Sequence, residues 1–353
     1  MKSDATQLAP YFDYLDQIAN LELKNRPSQQ GGTAIRYHIA RQRQGNRPLS
    51  EKVAETLLPR LNGGTVILTT GTGNPLWLPD GETDGPSGVA VLTRVFGSLG
   101  IRSCVLAEAR FLPGVRAAVR AAGTPLLDEH SWPYRSNGAL CLPFPTGAEA
   151  APGFIDALLS SRQDWTAAFF IEKPGPGIDK QFHNGSGERK DAGWLAHAHS
   201  LASAARKQGM PTVGIGDGGN EIGFGVIREA LFREAPHRFG CQCGCATGML
   251  DSTLVDVLLP ASVSNWGAYA VAAALALRLW QRELMPGWSE VADSIRAPIE
   301  HGAFDGYTGL ALPSVDGISL RGNRAVYHLL EEVLDLAMTT RIGKPAAMIQ
   351  PGR

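Results

Sequence analysis

At 353 residues and 44% hydrophobic content, the chain can bury a sizeable core, although length alone does not choose between one domain and two. A formal net charge of −1, with no run of Lys or Arg, removes the electrostatic case for a nucleic-acid or membrane-surface partner. Five cysteines, an odd and sparse set, fit free thiols in a reducing cytoplasm.

The first ten residues lack the basic stretch and apolar run of a secretory signal. Residues 1–48 read as a helical N-terminal extension followed by a polar connector, and 49–353 as a single α/β catalytic domain. An apolar stripe at Val53, Leu57, Leu58 and Leu61 predicts a helix over 49–61. The run Val66-Ile67-Leu68-Thr69-Thr70 is a buried strand. A second helix over 88–99 ends at Gly100, a good C-cap, and a strand follows at 103–106. A helix over 115–122 ends at Gly123 in the same way. Residues 130–152 read as a Pro/Gly-rich loop. Strand 167–171 precedes a second such loop over 174–190, long enough to be a functional cover. A helix over 191–208, a strand at 212–215, a weaker strand at 254–259 and helices over 265–284 and 323–338 complete the chain. The apolar stretch 268–277 is too short to span a bilayer and reads as a buried helix. Strands alternating with helices indicate a three-layer α/β/α sandwich on a mostly parallel sheet.

In such sheets ligands bind beyond the carboxyl ends of the strands. Strand 66–70 is followed by Gly71 and then by Glu82-Thr83-Asp84-Gly85-Pro86. Strand 167–171 is followed by Glu172-Lys173-Pro174-Gly175, and strand 212–215 by Gly216-Asp217-Gly218-Gly219-Asn220-Glu221. Glu82, Asp84, Glu172, Asp217 and Glu221 would then converge with Lys173 as the one obvious nearby cation. Like charges brought together are costly unless they are protonated or share a cation, and a hard divalent ion is the simplest partner. Taken singly, Asp84 and Asn220 are equally good as helix caps. Ser264-Asn265 caps the long late helix or presents its N-terminus to a substrate carboxylate. Asp305-Gly306 and Asp316-Gly317 read as turn punctuation. Cys241-Gln242-Cys243-Gly244-Cys245 lacks the second pair of an ordinary zinc motif. His183 is the one histidine placed for proton transfer. No nucleotide fingerprint is present.

Taken in order, Thr70-Gly71, Glu82-Thr83-Asp84-Gly85-Pro86, Ile171-Glu172-Lys173-Pro174-Gly175, Gly214-Ile215-Gly216-Asp217-Gly218-Gly219-Asn220-Glu221-Ile222-Gly223, Ser264-Asn265-Trp266-Gly267 and Phe304-Asp305-Gly306 form a series that resembles the D-glutamate cyclase family, C-terminal-domain type. The resemblance implies a divalent metal, Mn2+ or Mg2+, and conversion of D-glutamate to 5-oxo-D-proline and water. Family members usually have Arg where Lys173 stands. On this reading Glu82, Asp84, Asp217 and Glu221 hold the metal. Glu172 is the base, with Asp217 next, and Lys173 with the Ser264–Asn265 helix start holds the α-carboxylate. Thr70, Gly71, Gly218 and Asn220 also touch the substrate. The same acidic loops would serve a manganese-dependent phosphatase or hydrolase. A non-catalytic receptor for a small acidic metabolite is the other rival. A homo-oligomer is the default assembly for such an enzyme.

Overall fold

Val66 to Thr70 do form a central strand, and its position decides where the rest of the chain goes. The computed structural model describes residues 3–24, 32–135, 137–245 and 247–342. The chain opens with helices α1 (Ser3–Ala19), α2 (Gly32–Arg43) and α3 (Leu49–Leu57). Strand β1 (Thr65–Thr70), α4 (Pro86–Ser98), β2 (Arg102–Glu108) and α5 (Leu112–Ala121) follow. Next come the short β3 (Leu126–Leu127), β4 (Ala139–Phe144), α6 (Ala151–Ser160) and β5 (Trp165–Ile171). A two-stranded ribbon, β6 (Phe182–His183) with β7 (Arg189–Lys190), precedes α7 (Ala198–Lys207), β8 (Thr212–Gly216) and α8 (Arg228–Glu234). The last part comprises β9 (Val257–Pro260), α9 (Ser264–Leu279), α10 (Trp288–Arg296), the hairpin strands β10 (Ser314–Val315) and β11 (Ile318–Ser319), and α11 (Leu320–Ile342).

The main sheet has seven strands in the order β3-β4-β2-β1-β5-β8-β9, all parallel. Helices cover both faces, giving the expected three-layer α/β/α sandwich. Every residue of β1, β8 and β9 is buried, as strands covered on both sides require. The chain leaves β1 toward β2 and β4, then returns to β5 on the other flank of β1 and continues to β8 and β9. Strand order therefore reverses between β1 and β5, and a crevice must open beyond their carboxyl ends.

Helix α9 runs through the core, buried from Ser264 to Leu277. Its alanines favour helix and let neighbours approach closely. Helices α1 and α2 pack into the same core, with Phe12 and Leu15 of α1 fully buried. The segment 130–152, read as a loop, contains β4 and the start of α6. The helix expected from 191 begins at Ala198, because the Asp191 carboxylate instead caps a single 3-10 turn through Gly193 N at 2.8 Å. Among the described residues no helix is long and apolar enough to cross a membrane.

Candidate active site

The loop after β1 and the start of α9 cap one another. The two oxygens of Asp84 accept the first backbone N–H groups of α9, from Ser264 at 2.9 Å and Asn265 at 2.8 Å. Asn265 reciprocates at the start of α4. Its Oδ1 accepts from Gly85 N at 3.0 Å and Gly88 N at 2.6 Å, and its Nδ2 donates to the Thr83 carbonyl. Four otherwise unpaired helix-start donors are satisfied by two side chains. Gly85 makes the turn with φ +97°, and a side chain there would run into Thr70 Oγ1 and Glu172. Asp84 is thereby held, buried, beside the positive ends of two helices.

Glu172 leaves the end of β5 in the left-handed region, φ +47°, an uncommon conformation for a residue with a side chain. Its Oε2 accepts a 2.6 Å hydrogen bond from Ser264 Oγ. After β8 the glycine-rich loop folds on itself, with Glu221 accepting from Gly218 N at 3.0 Å and Gly219 N at 2.8 Å. Backbone bonds from Ile222 N to Lys173 O and from Gly175 N to Asn220 O zip this loop to the one after β5. Asp217, at its apex, faces Glu172.

A third segment completes the site. Asp305 accepts hydrogen bonds from the backbone of Tyr307, Thr308 and Gly317 and from Ser314 Oγ, and so organises the whole 305–317 loop. At the tip of the β10–β11 hairpin, Asp316 and Gly317 both have positive φ, +53° and +79°, the pattern of a tight type I′ turn. That turn delivers the Asp316 carboxylate to Asp84 and Asp217. Lys24, from the segment after α1, places its ammonium between Asp217 and Asp316 and pairs with both.

Two groups of three carboxylates result, Asp84–Asp217–Asp316 and Glu172–Asp217–Glu221. Within each, one oxygen from every residue lies inside 4.8 Å of the others, and Asp217 belongs to both. This crowding has the expected electrostatic consequence. Burial, reinforced by neighbouring carboxylates, holds Glu82, Asp84 and Glu172 well above the usual carboxylate range, and burial also pushes Asp316 up to about 6. Burial opposes the Lys24 charge, but Asp217, Asp316 and Asp84 outweigh it and hold the ammonium above its ordinary pKa. All the donors are hard oxygens, and an ammonium already sits among three of them. The residues thus fit a hard divalent cation.

The cleft over this centre has a volume of about 300 Å³ and is lined largely by polar residues. That size suits a small metabolite. Of the residues expected to act, Glu82, Glu172, Asp217, Gly218, Asn220 and Glu221 line it. Ser264 and Asn265 are buried behind it and spend their polar groups on Glu172 and on capping. Thr70 is buried too, and Thr72 takes its place at the surface of the cleft.

Lys173 does not reach the cleft. Its ammonium crosses the end of β1 to Glu108 on β2, 2.5 and 2.6 Å from the two oxygens, and donates to Gly71 O at 2.9 Å. Both side chains are fully buried, and burial lowers the Lys173 pKa against the pull of Glu108. Among the described residues, the cations that line the cleft are instead Lys24 and Lys190. Lys190 projects from β7 and hydrogen-bonds Thr72 Oγ1, and burial lowers its pKa while Glu82 and Glu172 oppose the shift. His183 also stays out. It is buried on β6 with Nε2 toward Cys243 and Cys245 rather than the carboxylates. Asp316, Lys24 and Lys190 are charged site residues that the sequence did not disclose. Only Asp316 carried a local signal, its Asp-Gly pair.

A family profile described as D-glutamate cyclase-like, C-terminal, matches residues 29–331. A relative from Homo sapiens, described as D-glutamate cyclase, mitochondrial, is 24% identical over 330 aligned residues. The alignment covers 83% of this chain and 50% of the relative, so the chain spans about half the length of that protein.

Proposed function

The chain belongs to the D-glutamate cyclase-like family, and from that premise we propose that its cleft converts D-glutamate to 5-oxo-D-proline and water, using Mn2+ or Mg2+. The observation that supports this most directly is the pair of carboxylate groups joined at Asp217, beside a cleft of glutamate-like size at the switch point of the sheet. When bound, the cation supplies Lewis-acid polarisation of the substrate's side-chain carboxylate and neutralises charge on its oxygen.

The chain's own residues do the rest. In the reaction the substrate amine attacks its own side-chain carboxyl carbon. A C–N bond forms, a C–O bond breaks, the nitrogen gives up two protons, and the departing oxygen leaves with them as water. Glu172 is the residue for that proton traffic. It lines the cleft and lies beside Asp217 and Glu221, so its carboxylate is placed to take protons from the amine and pass them to the departing oxygen. Ser264 Oγ fixes its orientation through the 2.6 Å hydrogen bond. Lys190, supported by Thr72, takes the role of binding the α-carboxylate that Lys173 is too deeply buried to play. Holding glutamate folded in this small cleft brings amine and carboxyl carbon together, a proximity gain independent of the metal. The five free cysteines suit a reducing compartment such as the cytoplasm, which we propose as the site of the reaction.

The test is chiral analysis of products from D- and L-glutamate, run beside a phosphate-release screen with manganese. Formation of 5-oxo-D-proline from the D-isomer, reduced about 100-fold or more in Glu172→Gln, supports the proposal. Phosphate release without cyclisation would replace it with a hydrolase. Ligand-induced thermal stabilisation without any product would leave a receptor.

A further inference from the structure

The motif Cys241-Gln242-Cys243-Gly244-Cys245 takes no part in the chemistry above, yet the fold brings it to His183, about sixty residues earlier in the chain. Cys241 Sγ lies 3.0 Å from Cys245 Sγ and 3.4 Å from Cys243 Sγ. His183 Nε2 lies 3.2 Å from Cys243 Sγ and 3.6 Å from Cys245 Sγ. All four atoms fall within 4.8 Å of one another, and all three thiols are free. Four ligands at zinc–sulfur and zinc–nitrogen bond lengths on a tetrahedron would stand roughly 3.5–3.8 Å apart. Four of the six separations here, at 3.0–3.6 Å, lie within or a little below that range, and the other two stay inside 4.8 Å.

Packing offers no competing reason for these thiols. A free cysteine normally behaves as a small buried hydrophobe. Cys104 and Cys141, on β2 and β4, do so. Cys243 is exposed, and Cys241 and Cys245 are only half-buried. The histidine, by contrast, is buried, with one ring nitrogen turned toward the thiols. Alternation of cysteine with other residues along a bending loop turns three sulfurs to one point, an arrangement that the usual paired-cysteine spacing does not need.

We propose that Cys241, Cys243, Cys245 and His183 form a four-ligand site for a soft divalent cation of the zinc class, distinct from the acidic cleft. Soft thiolates with one imidazole select zinc over the hard cations that suit the carboxylates, so the two sites sort their metals by ligand chemistry. On binding, the three thiols release their protons to solvent and the imidazole binds neutral, leaving a net charge of −1 at the centre. With four protein ligands the shell has no open position, which makes the role structural.

What it would hold in place is visible. Gln242 donates from its backbone N to Gly187 O at 2.8 Å and from its side chain to Ser186 O. The turn between β6 and β7 that receives these bonds, together with Lys190, lines the acidic cleft. A zinc ion would therefore fasten the 241–245 loop to the ribbon that forms one rim of the cleft.

The test uses the full chain, purified under reducing conditions without chelator, with zinc measured by mass spectrometry and then replaced by cobalt. The expected result is one zinc per chain and, with Co2+, the intense visible bands of a tetrahedral thiolate site. Both should be lost in the Cys241→Ser/Cys243→Ser/Cys245→Ser variant while manganese binding in the cleft, read by electron paramagnetic resonance, persists. Because the triple variant could fail to fold, Cys243→Ser at the exposed position is the second arm, with zinc affinity expected to fall about 10-fold or more. Amide exchange across 182–190 should quicken when zinc is withdrawn. Absence of stoichiometric zinc and of the cobalt bands from the wild-type protein would overturn the proposal, as would a native Cys241–Cys245 disulfide. Unchanged zinc content in a folded triple variant would do the same.

Discussion

Replacing Lys173 with methionine separates two readings of the same residue. If Lys173 were a substrate ligand, the substitution would weaken binding and leave the fold alone. The structure gives it another job. Its ammonium makes three hydrogen bonds, two to Glu108 and one to Gly71 O, with both side chains fully buried. Lys173→Met would leave the Glu108 carboxylate in the core with the Ala196 N–H, at 2.8 Å, as its remaining hydrogen-bond donor among the described residues. Stranding one half of a buried pair costs about 3–5 kcal/mol. Adding Glu108→Gln should recover at least about 2 kcal/mol, because a neutral amide removes the stranded charge and can still accept from Ala196 and donate to Gly71. Urea unfolding followed by tryptophan fluorescence measures the three stabilities, and steady-state kinetics on D-glutamate measures KM. The reasoning is refuted if Lys173→Met unfolds within about 1 kcal/mol of wild type and raises KM tenfold, a change of about 1.4 kcal/mol in binding.

Three further outcomes are expected. Asp217→Ala removes the carboxylate common to both acidic groups, so metal-dependent turnover should fall at least about 100-fold while far-ultraviolet circular dichroism is unchanged. Gly85→Ala forces a side chain into a left-handed turn against Thr70 Oγ1, and should cost about 1–3 kcal/mol in denaturant unfolding and weaken manganese binding by displacing Asp84. Asp164, hydrogen-bonded by Nε and Nη2 of Arg162 and by Arg102, is held well below the usual carboxylate range, chiefly by Arg162 and against a smaller burial effect. Its folded pKa is depressed, so its stabilisation is present above the unfolded value near 3.9 and is lost as pH falls through the folded value. The side chain is a third exposed, so Asp164→Asn should cost about 1 kcal/mol at neutral pH, with the gap to wild type closing as pH falls below about 4.

Much of the architecture was legible because buried parallel strands are continuous apolar runs and their helices end at glycines. Strand β4 escaped because it follows Gly138 and contains Pro143 in a stretch rich in loop-forming residues, and its pairing with β2 rather than its own composition makes it a strand. Helix α6 hid behind Pro152 and Gly153, although proline in a first turn is a helix-start signal. At the site, the acids that follow strand ends were readable because strand ends converge. Asp316 was not, since an Asp-Gly turn looks the same whether it merely reverses the chain or also delivers a ligand. Lys173 misled for a geometric reason. Adjacent residues leaving a strand diverge, so Glu172 turns into the cleft and its neighbour turns toward Glu108. Lys24 and Lys190 reach the acids from segments without any motif, and only tertiary packing places them there.

The central claim is that the carboxylates joined at Asp217 hold a divalent cation on which D-glutamate cyclisation depends. The most direct measurement is 5-oxo-D-proline formed from D-glutamate by the purified chain, first stripped with chelator and then titrated with Mn2+. The expected result is no product in chelator and saturable recovery as manganese is restored. Equal turnover with and without metal, or no product at any manganese concentration, would contradict it.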